Sequence, residues 1–239
     1  MIDIHSHILY CLDDGSKSIS ESISMAKEAF EAGITDIICT PHNNESYYSP
    51  SMEQIAATMF SFQKELDKQN CPIKLHVGNE VYLDDTVENK ITSNSLYSLA
   101  NSRYILIELP VNTEYVFLDQ LIFSIKNLGK TPILAHPERY MYLQNEKNKI
   151  YKYIDMGLIL QCNFGSILNM YGPKAKNLFK FLLKEHLVSF IASDAHHSNS
   201  IYYNLESAKQ KIFKKISKSE FDTITNINPQ KILLDQDIF

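Results

Sequence analysis

Seven short runs of apolar and β-branched residues recur along the chain. They are "MIDIH" (1–5), "TDIICT" (35–40), "IKLHVG" (73–78), "YILIEL" (104–109), "PILAH" (132–136), "LILQCN" (158–163) and "VSFIAS" (188–193). Such runs suit strands buried on both faces, as in a parallel sheet. Helical spacing fills the gaps. Ile23, Ala26 and Phe30 lie three and four apart, with Gly33 placed to end the helix. Ser49–Pro50 opens the next helix, whose stripe is Ile55, Met59, Phe62 and Leu66. Leu118, Leu121, Ile122, Ile125 and Leu128 form another before Gly129, and further helices are expected near 145–156, 174–185 and 202–216. No linker, repeat or low-complexity tract interrupts the alternation. It therefore predicts one α/β domain over residues 1–239, with a parallel sheet. Seven units favour a closed or nearly closed barrel; an open doubly wound sheet is the alternative.

Chemistry-bearing residues stand just past these runs. His5 and His7 follow the first, His42 the second and Glu80 the third. The fourth ends at Glu108, the fifth at His136, and the seventh at Asp194 and His196; the sixth offers Asn163. A parallel sheet gathers the C-terminal ends of its strands on one face, where barrel enzymes build their sites. His5 and His7 are two residues apart, so both leave the strand on one side, and Asp194 and His196 repeat that spacing. Imidazole and carboxylate together are a ligand set for first-row divalent metals. With an aspartate of the "LDDG" loop (13 or 14), the candidates number nine, too many for one ion. They fit two or three ions if a carboxylate such as Glu80 bridges. His76, His186 and His197 fall outside this pattern, and Asp3 stands where it could orient a ligand.

Composition narrows the classes. The 239 residues are 44% hydrophobic and 21% charged, with net charge -5, so neither nucleic acid nor an anionic membrane is an expected partner. Cys11, Cys39, Cys71 and Cys162 are dispersed and read as reduced, buried thiols of a cytoplasmic protein. No apolar run is long enough to span a bilayer, and Asp3 and His5 break the only N-terminal one. A cysteine phosphatase needs Arg six positions after its Cys, and the residues there are Lys17, Glu45, Val77 and Leu168. No phosphate-binding GxxxxGK[ST] loop appears. Among 23 basic residues only Arg103 and Arg139 are arginine. Arg139, three residues after His136, stands at the mouth with a planar fork suited to phosphate. Arg103, at a strand's start, belongs to the opposite end and reads as structural.

The motifs "DIHSH" (3–7), "DDG" (13–15), "TPH" (40–42), "GNE" (78–80), "IE" (107–108), "AHPERY" (135–140) and "ASDAH" (192–196) together resemble the PHP (polymerase and histidinol phosphatase) superfamily. The resemblance is closest to its bacterial manganese-dependent protein-tyrosine phosphatases of capsular and exopolysaccharide synthesis. It implies a distorted (β/α)7 TIM-like barrel of the PHP type. It also implies three metal sites: one on His5, His7, Glu80 and Asp194; one on Glu80, Glu108 and His136; one on Asp14, His42 and His196. Asp14 rests on the resemblance, since spacing leaves Asp13 open. Manganese is the implied metal, although such ligands also accept iron, cobalt or zinc. The implied substrate is a phosphotyrosine-bearing protein, namely a bacterial tyrosine kinase, attacked at phosphorus by a metal-activated water. Arg139, His42 and Asp14 are the implied catalytic residues. Oligomeric state is left open.

The chain departs from the family pattern at its mouth. "NNESYYSP" (43–50) and "HSNSIYYN" (197–204) lack the basic residues that several members carry there. Tyr47, Tyr48, Tyr202 and Tyr203 take their place as possible stacking groups. Two alternatives remain at this point: a phosphatase of a small phosphomonoester such as histidinol phosphate or a sugar phosphate, and a non-catalytic metal-stabilised module that binds a kinase.

Overall fold

Every strand that the apolar runs predict is present, and the second and third are each followed, after a short break, by a further short strand that the runs did not include. The computed structural model describes residues 1–238. Among these, β1 (Ile2–Ser6), β2 (Asp36–Cys39), β3 (His42–Asn43), β4 (Lys74–Val77), β5 (Glu80–Tyr82), β6 (Tyr104–Glu108), β7 (Thr131–Ala135), β8 (Ile159–Asn163) and β9 (Phe190–Ala192) make two sheets. Their orders are β1-β2-β4 and β3-β5-β6-β7-β8-β9, and every pairing is parallel.

The breaks have local causes. Pro41 has no N–H to donate, so β2 stops at Cys39 and strand pairing starts again, as β3, at His42. β4 stops before Gly78, where a Cβ would stand 2.9 Å from Ile38 Cγ2 and 3.2 Å from Cys39 O, and β5 follows. Asn79 replaces the lost ladder bonds: its side chain donates to Pro41 O at 3.1 Å and accepts from Tyr97 N at 2.9 Å. Because both breaks come at the same level, β2 pairs with β4 below them and β3 with β5 above. The pairings thus divide into two sheets, not the single ring that seven unbroken strands suggest. β1 meets the segment after β9 through one bridge, Ser6 opposite Ala195, beside Asp194 N→His5 O and His7 N→Ala195 O, each 2.9 Å.

The helices differ from expectation at their ends. Met52–Lys68 begins not at Ser49–Pro50 but behind Ser51, which exchanges reciprocal bonds with Gln54. The single helix expected over 145–156 is two, Met141–Asn145 and Asn148–Asp155. Gly172–Lys184 and Leu205–Ile212 fall within two or four residues of expectation. Helix Ile19–Glu31 buries Ser22, Met25, Ala26 and Ala29, which leaves Phe30 exposed, and Leu128 lies just past the buried face of Leu118–Asn127.

The core has two layers. Ile4, Ile38, Leu106, Ile133 and Phe190 pack inside the sheets with the C-terminal Ile232 and Ile238. A larger layer lies between sheets and helices. At the strand-start end, Arg103 grips Asp235 and Asp237, a structural role away from the site. Cys39, Cys71 and Cys162 are buried free thiols, whereas Cys11 is exposed. Among the described residues, no helix is long and apolar enough to cross a membrane.

Candidate metal centre

The strand ends bring all nine predicted ligand candidates to one place. His5, His7, Glu80, His136 and Asp194 are buried; Asp14, His42, Glu108 and His196 are partly exposed. Four groupings have ligand atoms within 4.8 Å of one another: His7, Asp14, His42 and His196; His5, His7 and Glu80; His5, His136 and Asp194; and His42, Glu80 and Glu108. These overlap with the three implied sets without matching them one for one. His136 groups with His5 and Asp194, although its Nε2 is also 2.9 Å from Glu80 Oε1 and 3.6 Å from Glu108 Oε1.

Outer partners fix which nitrogen faces the centre. His7 Nδ1 donates to Asp13 Oδ2 at 2.7 Å, and His5 Nδ1 donates to Gln161 Oε1 at 2.8 Å. His196 Nδ1 lies 3.0 Å from the Asp194 carbonyl. Each of these histidines therefore turns Nε2 inward, as metal-binding imidazoles do. His5 Nε2 and His7 Nε2 then stand 3.2 Å apart, lone pair toward lone pair. That approach requires a shared proton or a cation. Asp14 Oδ1, Glu80 Oε2 and His136 Nδ1 are buried without a hydrogen-bond partner in the structure. Orphaned acceptors of this kind, in a His and carboxylate cluster, fit divalent ions.

The same contacts separate the two aspartates of the "DDG" loop. Asp13 is occupied outside the cluster, accepting from His7, Gly15 N and His42 N. Asp14 Oδ1 instead sits 3.5 Å from both His42 Nε2 and His196 Nε2. Gly15 lets the loop fold this tightly, because a Cβ there would lie 2.2 Å from His7 O. Gly15→Ala is expected to cost about 1–3 kcal/mol in thermal unfolding and to lower the metal content found by elemental analysis. Full metal content in a stable variant would contradict this account of the loop.

Charge follows from crowding. Burial opposes ionisation of His5, yet Glu80 and Asp194 outweigh it and raise its pKa to about 9. Burial likewise disfavours the Glu80 carboxylate, but His5, His42 and His136 hold it well below its usual range. Glu108 is pushed up to about 8 by burial and then by Glu80. His136 falls to about 4 through burial and the nearby Arg139 cation. His136 and Asp194 both adopt left-handed backbone, φ 35° and 53°. Such strain in non-glycine residues concentrates at functional sites.

Arg139 lines the same cavity, of about 320 Å³. Its Nη1 donates to Asp194 Oδ2 at 2.9 Å, and its guanidinium stacks 4.7 Å from the Tyr171 ring. Tyr171 fits because residue 165 is glycine: a Cβ there would stand 3.1 Å from the ring. Asn163 Nδ2 donates to the same Asp194 oxygen at 2.7 Å, and Asn163 Oδ1 accepts from Gln161 Nε2 at 2.8 Å.

Several expectations are corrected. Asp3 does not touch the His5 ring; it accepts from His5 N, Ser193 N and Tyr202 OH, and so fastens β1 to the β9 segment. Gln161 orients that ring instead. Tyr202 is buried on Asp3 and Ser6, and Tyr203 is exposed beside Glu28 and Glu206 rather than at the mouth. Tyr47 and Tyr48 do line the cavity. His76, His186 and His197 pair outside it, with Asp36, Glu220 and Glu21.

A family model described as "Capsular polysaccharide synthesis, CpsB/CapC" matches residues 1–234. Tyrosine-protein phosphatase YwqE of Bacillus subtilis (strain 168) is 31% identical over 239 residues, spanning 100% of this chain and 94% of that protein. Tyrosine-protein phosphatase CpsB of Streptococcus pneumoniae is 32% identical over 241 residues, 99% of each. A chain from crystal structures of those two proteins, described as unique metal-dependent tyrosine phosphatases, superposes with TM-score 0.93 at 31% identity, covering 100% of this chain and 96% of that one. A histidinol phosphate phosphatase from Lactococcus lactis, solved with zinc, L-histidinol and phosphate, shares the fold at TM-score 0.59 and 13% identity, over 90% and 94% of the two chains. By a match that runs from Met1 almost to its end, the chain belongs to the CpsB/CapC family of capsular polysaccharide synthesis.

Proposed function

We propose that this chain is a metal-dependent protein-tyrosine phosphatase. The observation that carries the reading is the convergence of nine imidazole and carboxylate groups with Arg139 on one cavity. The names of its full-length relatives, tyrosine-protein phosphatases, agree with it. His5, His7, Glu80 and Asp194 would hold one ion, Glu80, Glu108 and His136 a second, and Asp14, His42 and His196 a third, with manganese the expected metal. Divalent ions there would lower the pKa of water and offset charge on phosphoryl oxygens. Hydrolysis bonds a water oxygen to phosphorus, breaks the bond from phosphorus to the ester oxygen, and passes the water's proton to the departing oxygen or to solvent.

The chain's own groups position these atoms. Arg139, already anchored by Asp194 and Tyr171, offers its fork to the non-bridging oxygens, where charge develops. Asp14, the most exposed of the set, and His42 orient water and exchange its proton. A tyrosinate leaving group, pKa about 10, needs little acid assistance. The substrate read from this is a phosphotyrosine-bearing cytoplasmic protein, a tyrosine kinase of capsular or exopolysaccharide synthesis. We also read the two sheets as parts of one distorted (β/α)7 barrel. In that reading β2 with β3 and β4 with β5 are bent single strands, and the Ser6–Ala195 bridge joins first to last.

Hydrolysis of p-nitrophenyl phosphate with manganese and with chelator tests the activity; none in any metal would overturn it. Phosphotyrosine peptides set against histidinol phosphate, and an autophosphorylated capsular kinase, test the substrate. Arg139→Ala is expected to retain bound metal while kcat/KM falls about 10²–10³-fold. An unchanged rate would remove Arg139 from the phosphate site.

A further inference from the structure

One wall of the cavity is aromatic. Residues 44–48 form a tight turn: Asn44 and Tyr48 bridge each other, and Asn44 Oδ1 accepts from Ser46 N at 3.1 Å. The base of the turn is tethered from outside the cavity. The buried Lys90 donates to Asn43 Oδ1 at 3.0 Å and pairs with Glu45 at 3.2 Å. The turn is thus held, and it presents two tyrosines. Tyr48 lies nearly parallel to the His42 ring, 16° between planes and 6.3 Å between centroids. Tyr47, at the tip, is 79% exposed. Tyr82 joins them from β5, one strand over, at the level of Glu108. Arg139 and Asp194 line the same cavity together with the histidines.

A phosphate monoester placed among Arg139 and the cluster must direct its ester group outward, past these tyrosines. An exposed aromatic side chain beside a charged pocket gains by covering its face with another ring. We propose that Tyr47, Tyr48 and Tyr82 form a subsite for the aryl ring of the leaving group, and that this wall selects aryl over alkyl phosphates. The inference rests on the phosphatase reading and deepens it, since it assigns the preference for tyrosine to named residues.

The test compares phenyl phosphate with glycerol 2-phosphate on the metal-loaded protein. In Tyr47→Ala/Tyr48→Ala the ratio of their kcat/KM values should fall about tenfold, the scale of one aromatic contact. The fall should lie in KM more than in kcat, because ring contact is uniform binding. Tyr47→Phe/Tyr48→Phe should keep the ratio. A ratio unchanged by the alanine pair, or lowered equally by the phenylalanine pair, overturns the subsite. Calorimetric binding of phenylphosphonate against methylphosphonate asks the same question without turnover. A protein that hydrolyses neither ester but loses its phenyl preference in the alanine pair would overturn the phosphatase reading and leave the subsite standing.

Discussion

Glu80→Gln is expected to abolish phosphatase activity, with a fall of at least about 10³-fold, as for loss of a central electrostatic group. Glu80 is the residue on which the cluster turns. Its Oε2 lies 3.3 Å from His5 Nε2, 3.3 Å from His7 Nε2 and 3.0 Å from His42 Nδ1, and its Oε1 lies 2.9 Å from His136 Nε2. Glutamine keeps the shape and removes the charge. The buried imidazoles then face an amide that cannot offset a divalent ion, so metal content should fall together with rate. Elemental analysis and p-nitrophenyl phosphate kinetics on the same sample decide it. A variant with full metal and undiminished turnover would show that Glu80 does not bridge.

Stripping the metal should change how stability depends on pH, because the empty cluster fills with protons. His5 has its pKa raised from 6.5 to about 9 by Glu80 and Asp194 against the pull of burial. A folded pKa above the unfolded one gives stability that is complete below about 6.5 and lost as pH rises through about 9. Glu108, raised from 4.5 to about 8, pulls the same way, since its buried carboxylate is costly once ionised. The chelator-treated protein should therefore melt at lower temperature near pH 9 than near pH 6. The metal-loaded protein should not, because its ligands are already deprotonated. Reloading at neutral pH should release protons, seen as a buffer-dependent heat in calorimetry. Parallel melting curves for the two forms, with no proton release, would contradict this protonation pattern.

Much of the fold and of the candidate site is legible in the sequence. The apolar runs located the strands because buried parallel strands leave little room for polar side chains. The runs end where His5, His42, Glu80, Glu108, His136 and Asp194 begin, so the site announced itself as the places where apolar character fails. What escaped depends on contacts between distant segments. Tyr202 sits in a polar loop, yet it is buried because its hydroxyl meets Asp3, 199 residues away. Asp13 and Asp14 are chemically equal, and only Gly15 and the His7 ring decide which of them faces the cluster. The two strand breaks needed both Pro41 and the close approach at Gly78. Gln161 could have been found: with Asn163 it repeats the two-residue spacing of the ligand pairs, at the end of an apolar strand.

The fastening of β1 bears on how the protein is made. Asp3 binds Ser193 N across 190 residues, and the His5 carbonyl accepts from Asp194 N. β1 is made about 190 residues before the segment it binds, and must wait for that segment before these bonds can form. Contacts of such long sequence separation are slow to close, and nascent chains fold as their domains are completed. The candidate ligands on β1 thus stay unassembled until the segment around Asp194 is made. A chain stalled before Asp194 would carry seven of the nine candidate ligands and no finished site to hold an ion, so the cluster closes only once that segment has emerged.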